Sequence, residues 1–396
     1  MTAPGDPRAA GPSTRRIKRR VAAPTHEFFA ATAPGLEPLC RQELAAPPLS
    51  AVDAAVVAGG VTFSGRLADL YRANLHLRTA NRILMRIAAF PAENFRELRR
   101  QMAKVDWDLF LPRQAKVQVR VHTRHCRLYH SDAVARRAEA HLQQTLGTPP
   151  AESAPVASVF VRGTNDRFVV SVDSSGELLH RRGVKTHPAA APLRETLAAA
   201  ILMWAGCDPA EPLLDPMCGS GTFALEAASM GLRIPPGWHR RFAFEEWPAF
   251  RRRQWQHLRK EAEQGFADPE TVRIFAGDRD PAALFSLRGC LRSLGLSRSV
   301  ALFAGDFFDL RPQRMAAGPG LVVLNPPYGR RLKAAAGRAD ADALFSHLAR
   351  VYCGWKASVV LPTEQIGRIP FPHKKRRLVH GGLKLIVVTG RIPPGR

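Results

Sequence analysis

The ten residues from Leu213 to Thr222 read LLDPMCGSGT, and the run FALEAASMG follows at once from Phe223. Two apolar residues, an Asp-Pro pair and two glycines separated by one residue spell a strand, a tight turn and a helix N-terminus. Gly219 and Gly221 let the backbone pass close to a bound molecule where a Cβ would collide. The start of the helix adds free amide donors. The stretch therefore predicts a loop that holds a nucleotide-like ligand. It is not the dinucleotide fingerprint G-x-G-x-x-G, because Ala224 stands at the sixth position of that frame.

A second motif lies at Leu321 to Tyr328, LVVLNPPY, an apolar strand that ends in Asn-Pro-Pro-aromatic. Two prolines in series continue neither a sheet nor a helix, so Asn325 and Tyr328 are held at a strand end in a rigid, extended turn.

Asp-Pro-x-Cys-Gly-Ser-Gly followed by Asn-Pro-Pro-Tyr resembles the class I S-adenosylmethionine-dependent methyltransferases that act on an exocyclic amino nitrogen. With RETLAAAILMWAG at 194–206 and LLHRRG at 178–183, the chain is similar to the RlmL-like branch of the THUMP-domain RNA guanine-N2 methyltransferases. The similarity runs from about residue 27 to 390. It implies S-adenosyl-L-methionine as cofactor and RNA as substrate, with 23S rRNA favoured and tRNA as the alternative. The same Asn-Pro-Pro-Tyr serves DNA adenine-N6 and protein glutamine-N5 enzymes, so it fixes the atom type and not the polymer. A non-catalytic RNA-binding assembly factor is the reading from a different class.

Charge bears on the polymer. The 396 residues carry 58 Lys and Arg against 34 Asp and Glu, a net charge of +24. That excess favours a polyanionic partner, since each neutralised phosphate releases counterions. An arginine-biased composition accounts for part of it. Six scattered cysteines lack C-x-x-C spacing, which implies neither a disulfide framework nor a zinc site and fits a reduced, cytoplasmic compartment. No apolar run is long enough for a membrane span, so no membrane partner is expected, and a monomer is.

The expected organisation is α/β throughout: a basic disordered tail (1–25), a ferredoxin-like subdomain (26–92), a THUMP RNA-binding module (93–176), a linker (177–191) and a Rossmann-like methyltransferase domain (192–396). In that last domain strands and helices alternate, giving a doubly wound sheet. The His-Gly-Gly turn near its end makes the final strand pair a hairpin, so the sheet is mixed, with one antiparallel strand. The segment 233–269, rich in Arg and Trp, reads as an insertion whose aromatic residues either face RNA or pack.

Three acids fall at successive predicted strand ends. The resemblance assigns Asp215 to orienting the glycine loop and meeting the methionine ammonium, Asp278 to the ribose hydroxyls and Asp306 to the adenine amino group. Pro216, Met217, Cys218, Gly219, Ser220, Gly221 and Thr222 complete the loop, with Arg279 and Phe307 beside the acids. Pro192, Glu195 and Thr196 come from a helix that the family sets against the cofactor's methionine end. Asp280, just before Pro281, fits a helix N-cap instead. The catalytic group is Asn325, Pro326, Pro327 and Tyr328, with Asn325 also touching the cofactor. Cys218 matches the family's own loop cysteine and is not read as a nucleophile. In the THUMP segment His122, Arg124, His125, Arg127, Tyr129, His130 and Ser131 supply donors and a stacking ring suited to RNA.

Overall fold

The computed structural model describes residues 12–147, 156–184, 193–271, 273–326 and 341–395. The chain divides into two compact units. The first takes the chain up to Thr32, Cys40–Leu179 and Arg241–Lys260; the second takes Ala33–Leu39, His180–Arg240 and the chain from Glu261 onward.

In the first unit, strands β1 (His26–Thr32), β2 (Ala55–Val57), β3 (Gly60–Gly65), β4 (Ala80–Pro91), β5 (Lys116–Arg124), β6 (Val156–Thr164) and β7 (Arg167–Asp173) make one sheet, ordered β2-β3-β1-β4-β7-β6-β5. Each neighbouring pair is antiparallel except β5 and β6. The long strand β4 joins the two expected modules. Its residues from Ala80 to Met85 pair with β1, and those from Leu84 to Pro91 pair with β7. The consecutive run Ile83, Leu84 and Met85 is buried, so both faces of β4 are covered at that point. Helices α1 (Thr14–Ile17), α2 (Glu37–Ala45), α3 (Leu67–His76), α4 (Phe95–Met102) and α5 (Ser131–Leu146) accompany these strands. A buried polar knot ties α3 to the sheet: Asn74 donates to Ser174 Oγ at 2.8 Å and accepts from Ser175 Oγ at 2.6 Å. Arg82 pairs with the buried carboxylate of Asp173.

One expectation changes here, and one open alternative is decided. The described part of the basic tail is ordered: Ser13 caps α1, a π-type turn follows over Lys18–Ala22, and Val21 is fully buried. Charge pairing explains the order, because Arg16 reaches Asp106 at 2.6 Å and Asp108 at 2.5 Å. The aromatic residues of the expected insertion serve packing. Phe244, Trp247 and Trp255 are buried, and Tyr71 on α3 meets Phe244 at 4.4 Å and Trp255 edge-on at 6.0 Å. The Tyr71 hydroxyl accepts from the Arg251 amide at 3.1 Å.

The second unit holds β8 (Leu213–Asp215), β9 (Ile274–Asp278), β10 (Val300–Ala304), β11 (Leu321–Leu324), β12 (Lys356–Pro362), β13 (His373–His380) and β14 (Leu383–Arg391), in the order β10-β9-β8-β11-β12-β14-β13. The first five in that order are parallel, and β14 alone is reversed, pairing antiparallel with both β12 and β13. Its helices are α6 (Glu195–Trp204), α7 (Thr222–Gly231), α9 (Pro281–Ser293) and α10 (Ala341–Val351), and α8 (Arg252–Gln264) is shared in sequence by the two units. Side chains alternate across the sheet. Leu213, Leu321 and Val323 join a core with residues of α6, α7 and α9 on one face. Leu214, Val322 and Leu324 join a second core with α10, Tyr352 and Trp355 on the other. This is the doubly wound mixed sheet that the sequence predicts. Among the described residues no helix is long and apolar enough to cross a membrane.

Phe244 is central to the aromatic cluster of the first unit. Phe244→Ala should destabilise that unit by about 3–5 kcal/mol, read as a lowered urea midpoint by tryptophan fluorescence. An unchanged midpoint would show that the insertion does not contribute to this core.

Candidate active site

Parallel register sets the site. Ala304 lies opposite Asp278, Asp215 opposite Ala276, and Val322 opposite Leu214. The carboxyl ends of β10, β9, β8 and β11 therefore fall along one edge, where open α/β sheets hold their ligands. Asp306 follows β10, Asp278 ends β9, Asp215 ends β8 and Asn325 follows β11. Strand order reverses at β8, with β9 on one side and β11 on the other.

The glycine loop crosses that edge from β8 into α7. Gly219 has φ +50°, and a Cβ built there meets no atom within 4 Å, so the space over it is open. Gly221 has φ +74°, and its Cβ would lie 2.3 Å from Leu287 Cδ1. The left-handed backbone at Gly221 favours glycine there, and the close approach of Leu287 on α9 adds to that preference. The loop is pinned by Asp278, whose Oδ2 accepts from Gly219 N at 2.8 Å and whose Oδ1 accepts from Asp280 N at 3.0 Å. Cys218 N donates to the Gly277 carbonyl at 2.8 Å.

The loop contact expected of Asp215 is made by Asp278. Asp215 is 1% exposed, and among the described residues neither carboxylate oxygen has a hydrogen-bond partner. The nearby Ala224 amide favours the ionised form without reaching hydrogen-bond geometry. Burial, and then the Asp278 charge, push the Asp215 carboxyl well above its ordinary range. Orienting the loop falls to Asp278, and Asp215 is left as an unpaired acceptor beneath it. The Asn325 Oδ1 is likewise buried without a partner among the described residues, and Pro326 next to it is buried. Two orphaned polar side chains on one strand-end edge fit a ligand that brings donors.

Asp280 Oδ1 accepts from Ala282 N at 2.9 Å, which is the expected cap. Asp306 caps too, accepting from Phe308 N at 2.9 Å. Phe307 is buried, stacked on Tyr352 at 5.9 Å and edge-on to His347 at 4.9 Å, so its ring faces the core. Its neighbour Phe308, 37% exposed, is the ring available at this edge. Among the other cofactor residues Pro216 and Thr222 are buried, Met217 and Ser220 are half-buried, and Arg279 is exposed. Glu195 opens α6 and Thr196 is buried there. Burial and the charges of Asp215 and Asp278 push the Cys218 thiol up, which keeps it from forming a thiolate. Pro192, Pro327 and Tyr328 lie outside the described residues.

One pair escaped the sequence reading. Arg182 Nε meets Glu226 Oε1 at 2.9 Å, and both side chains are about 5% exposed or less. The signal is in the sequence: Glu226 is the one acid inside the apolar helix FALEAASMG. A charge placed there requires a buried partner.

The segment assigned to RNA is mixed. Arg124 Nε contacts His125 Nε2 at 3.2 Å, and Ser131 Oγ lies 3.1 Å from Thr123 Oγ1. Arg127 is ion-paired with Glu93 and donates its amide to Asp166 at 2.7 Å. Tyr129 is 68% exposed with its ring 4.0 Å from that of His130, and His122 is exposed on β5.

A glycine turn, acids at successive parallel strand ends and an antiparallel last strand together define a class I S-adenosylmethionine-dependent methyltransferase domain. The model of the RMKL-like methyltransferase domain matches residues 182–367, and that of the RlmL ferredoxin-like domain matches residues 27–84. A Synechocystis protein provisionally named RNA methyltransferase slr0064 is 33% identical over 78% of this chain and 81% of its own length. The chain belongs to this RMKL-like methyltransferase family. The "Ribosomal RNA large subunit methyltransferase K/L" of Cellvibrio japonicus is 33% identical over 87% of this chain and 48% of its own. The chain thus spans about half the length of such K/L proteins. Among solved structures SMU.472, provisionally described as a methyltransferase and complexed with SAH, superposes with TM-score 0.77 at 28% identity, covering 94% of this chain and 99% of that one.

The state of Asp215 gives a prediction with a definite sign. The folded protein binds the carboxyl proton more tightly than the unfolded chain does. Stability from it is full below the ordinary value of 3.8 and is lost as pH rises through the raised one. Asp215→Asn should therefore raise the melting temperature of the ligand-free protein at pH 7–8 and weaken S-adenosylmethionine binding. A lower melting temperature in the absence of ligand would show that the carboxylate is satisfied in the free protein.

Proposed function

We propose that this protein transfers the methyl group of S-adenosyl-L-methionine to the exocyclic N2 of a guanosine in RNA, within 23S rRNA. The observation that carries the reading is the Asn325 Oδ1: a buried acceptor with no partner among the described residues, just past the end of β11 and on the same edge as the glycine loop. The names of the K/L relatives and the net charge of +24 support an RNA substrate, and large-subunit rRNA in particular.

The cofactor supplies a methyl group on an electrophilic sulfonium. Asp215, the Gly219 turn and Asp278 would hold it, with Asp306 at the adenine end. An exocyclic amine is a poor nucleophile because its lone pair is delocalised into the base. The Asn325 Oδ1 and the Pro326 carbonyl accept the two N–H groups, which favours a tetrahedral nitrogen and directs its lone pair outward. Proline has no N–H, so this backbone offers acceptors only. From its place in the Asn-Pro-Pro-Tyr motif, Tyr328 is expected to stack on the extruded base. The amine is itself the nucleophile, and the proton it sheds after transfer can pass to water, so positioning carries the rate.

Asn325→Ala should leave calorimetric S-adenosylmethionine affinity nearly unchanged and lower methyl transfer to RNA by about 100-fold or more; near-normal turnover would refute the role. Cys218→Ser should retain activity, whereas a covalent enzyme–RNA adduct trapped on the wild type would overturn the noncovalent mechanism. Mass mapping of rRNA and tRNA from a deletion strain tests the substrate. Loss of one 23S N2-methylguanosine supports the proposal, and loss confined to tRNA redirects it.

A further inference from the structure

Within the first unit α4 and α5 lie side by side, with Leu98 and Met102 of one and Ala138 and Leu142 of the other buried. Between them runs an open groove lined by Phe95, Arg96, Arg99, Arg137, His141 and Gln144. Arg96 and Arg99 are three apart on α4, and Arg137 and His141 four apart on α5, so each pair shares a helix face. The three arginines are exposed. Among the described residues none of them has an acidic partner.

That sets the groove apart from much of the same unit. Arg16, Arg72, Arg82, Arg86 and Arg127 are all ion-paired with carboxylates. The glutamates on α4 and α5 are committed to backbone amides: Glu97 accepts from Glu93 N at 2.9 Å, and Glu139 accepts from Val119 N at 2.8 Å. Like charges at helical spacing repel one another, and among the described residues no carboxylate pairs with these arginines to offset that repulsion. The Arg137 guanidinium lies 3.9 Å from the Phe95 ring centroid. Stacking of this kind holds the guanidinium flat and leaves its N–H edge free for an anion. His141 is kept neutral by burial, with Arg99 acting in the same direction, so the positive charge belongs to the arginines.

We infer that the α4–α5 groove is a second RNA-binding surface, in which Arg96, Arg99 and Arg137 grip backbone phosphates, apart from the Arg124–Ser131 segment. Three unpaired guanidinium groups along a groove fit a phosphate chain, and phosphate contacts fix register without reading sequence. The inference rests on the proposal that the substrate is RNA.

The test is anisotropy titration of the full chain with a labelled RNA hairpin over a series of salt concentrations. Arg99→Ala with Arg137→Ala should lower the slope of log affinity against log salt by about 1.5 and weaken binding at moderate salt by about tenfold or more. Arg99→Lys with Arg137→Lys should keep most of the slope. Arg288→Ala with Arg292→Ala, an equal loss of charge on exposed positions of α9, should leave the slope nearly unchanged. An unaltered urea midpoint by tryptophan fluorescence shows that the first unit of each variant is folded, and Arg96→Gln gives a single contact's share of the change should the double variant be unstable. Equal slopes for wild type and the groove variants would overturn the inference while leaving the RNA reading intact, as would an equal fall in the α9 control. A wild-type chain that binds no RNA would overturn both.

Discussion

The parallel pairing of β8 with β9 on one side and β11 on the other is the constraint from which the site follows. It brings residues more than a hundred positions apart in sequence to one edge. It also works only at close quarters: Leu321 N donates to the Pro212 carbonyl at 2.9 Å, and a Cβ on Gly320 would fall 1.9 Å from that oxygen. A side chain at Gly320 would separate the two strands and with them Asp215 from Asn325.

Along that edge the polar groups divide by whether the fold satisfies them. Asp278, Asp280 and Asp306 all accept from backbone amides, so they hold turns in shape whether or not a ligand is present. Asp215 and Asn325 are buried with unpaired oxygens. An unsatisfied buried acceptor costs about 1–3 kcal/mol, and a protein that retains two on one strand-end edge gives up stability at the place where a ligand returns it. The turn-holding acids thus preorganise the loop, and the unpaired groups supply the recognition.

Helix α7 links the loop to the interior. Its first residues follow Gly221, and one turn further along Glu226 is paired with Arg182 in a site that excludes water. Breaking one partner of such a pair leaves an uncompensated buried charge. The helix that carries the loop is therefore held to the segment at 180–184 by an interaction that tolerates little movement.

Much of this was legible along the chain. LLDPMCGSGT marked the strand, turn and helix; LVVLNPPY marked β11 and its end; the His-Gly-Gly turn gave the antiparallel β13–β14 pair, and Asp280 before Pro281 gave a helix cap. These features are local, set by glycine dihedrals, proline's missing N–H and short-range capping, so the chain alone decides them. What only the tertiary structure decided is long-range. It showed that Leu287 crowds Gly221, that Asp278 rather than Asp215 holds the loop, and that Phe307 turns into the core while Phe308 stays half-exposed. It made Arg16 an ion-pair partner of Asp106 and Asp108 and set Phe244 and Trp255 against Tyr71. Each of these depends on which distant side chain arrives as neighbour, and burial, pairing and pKa have no value until folding has chosen that neighbour.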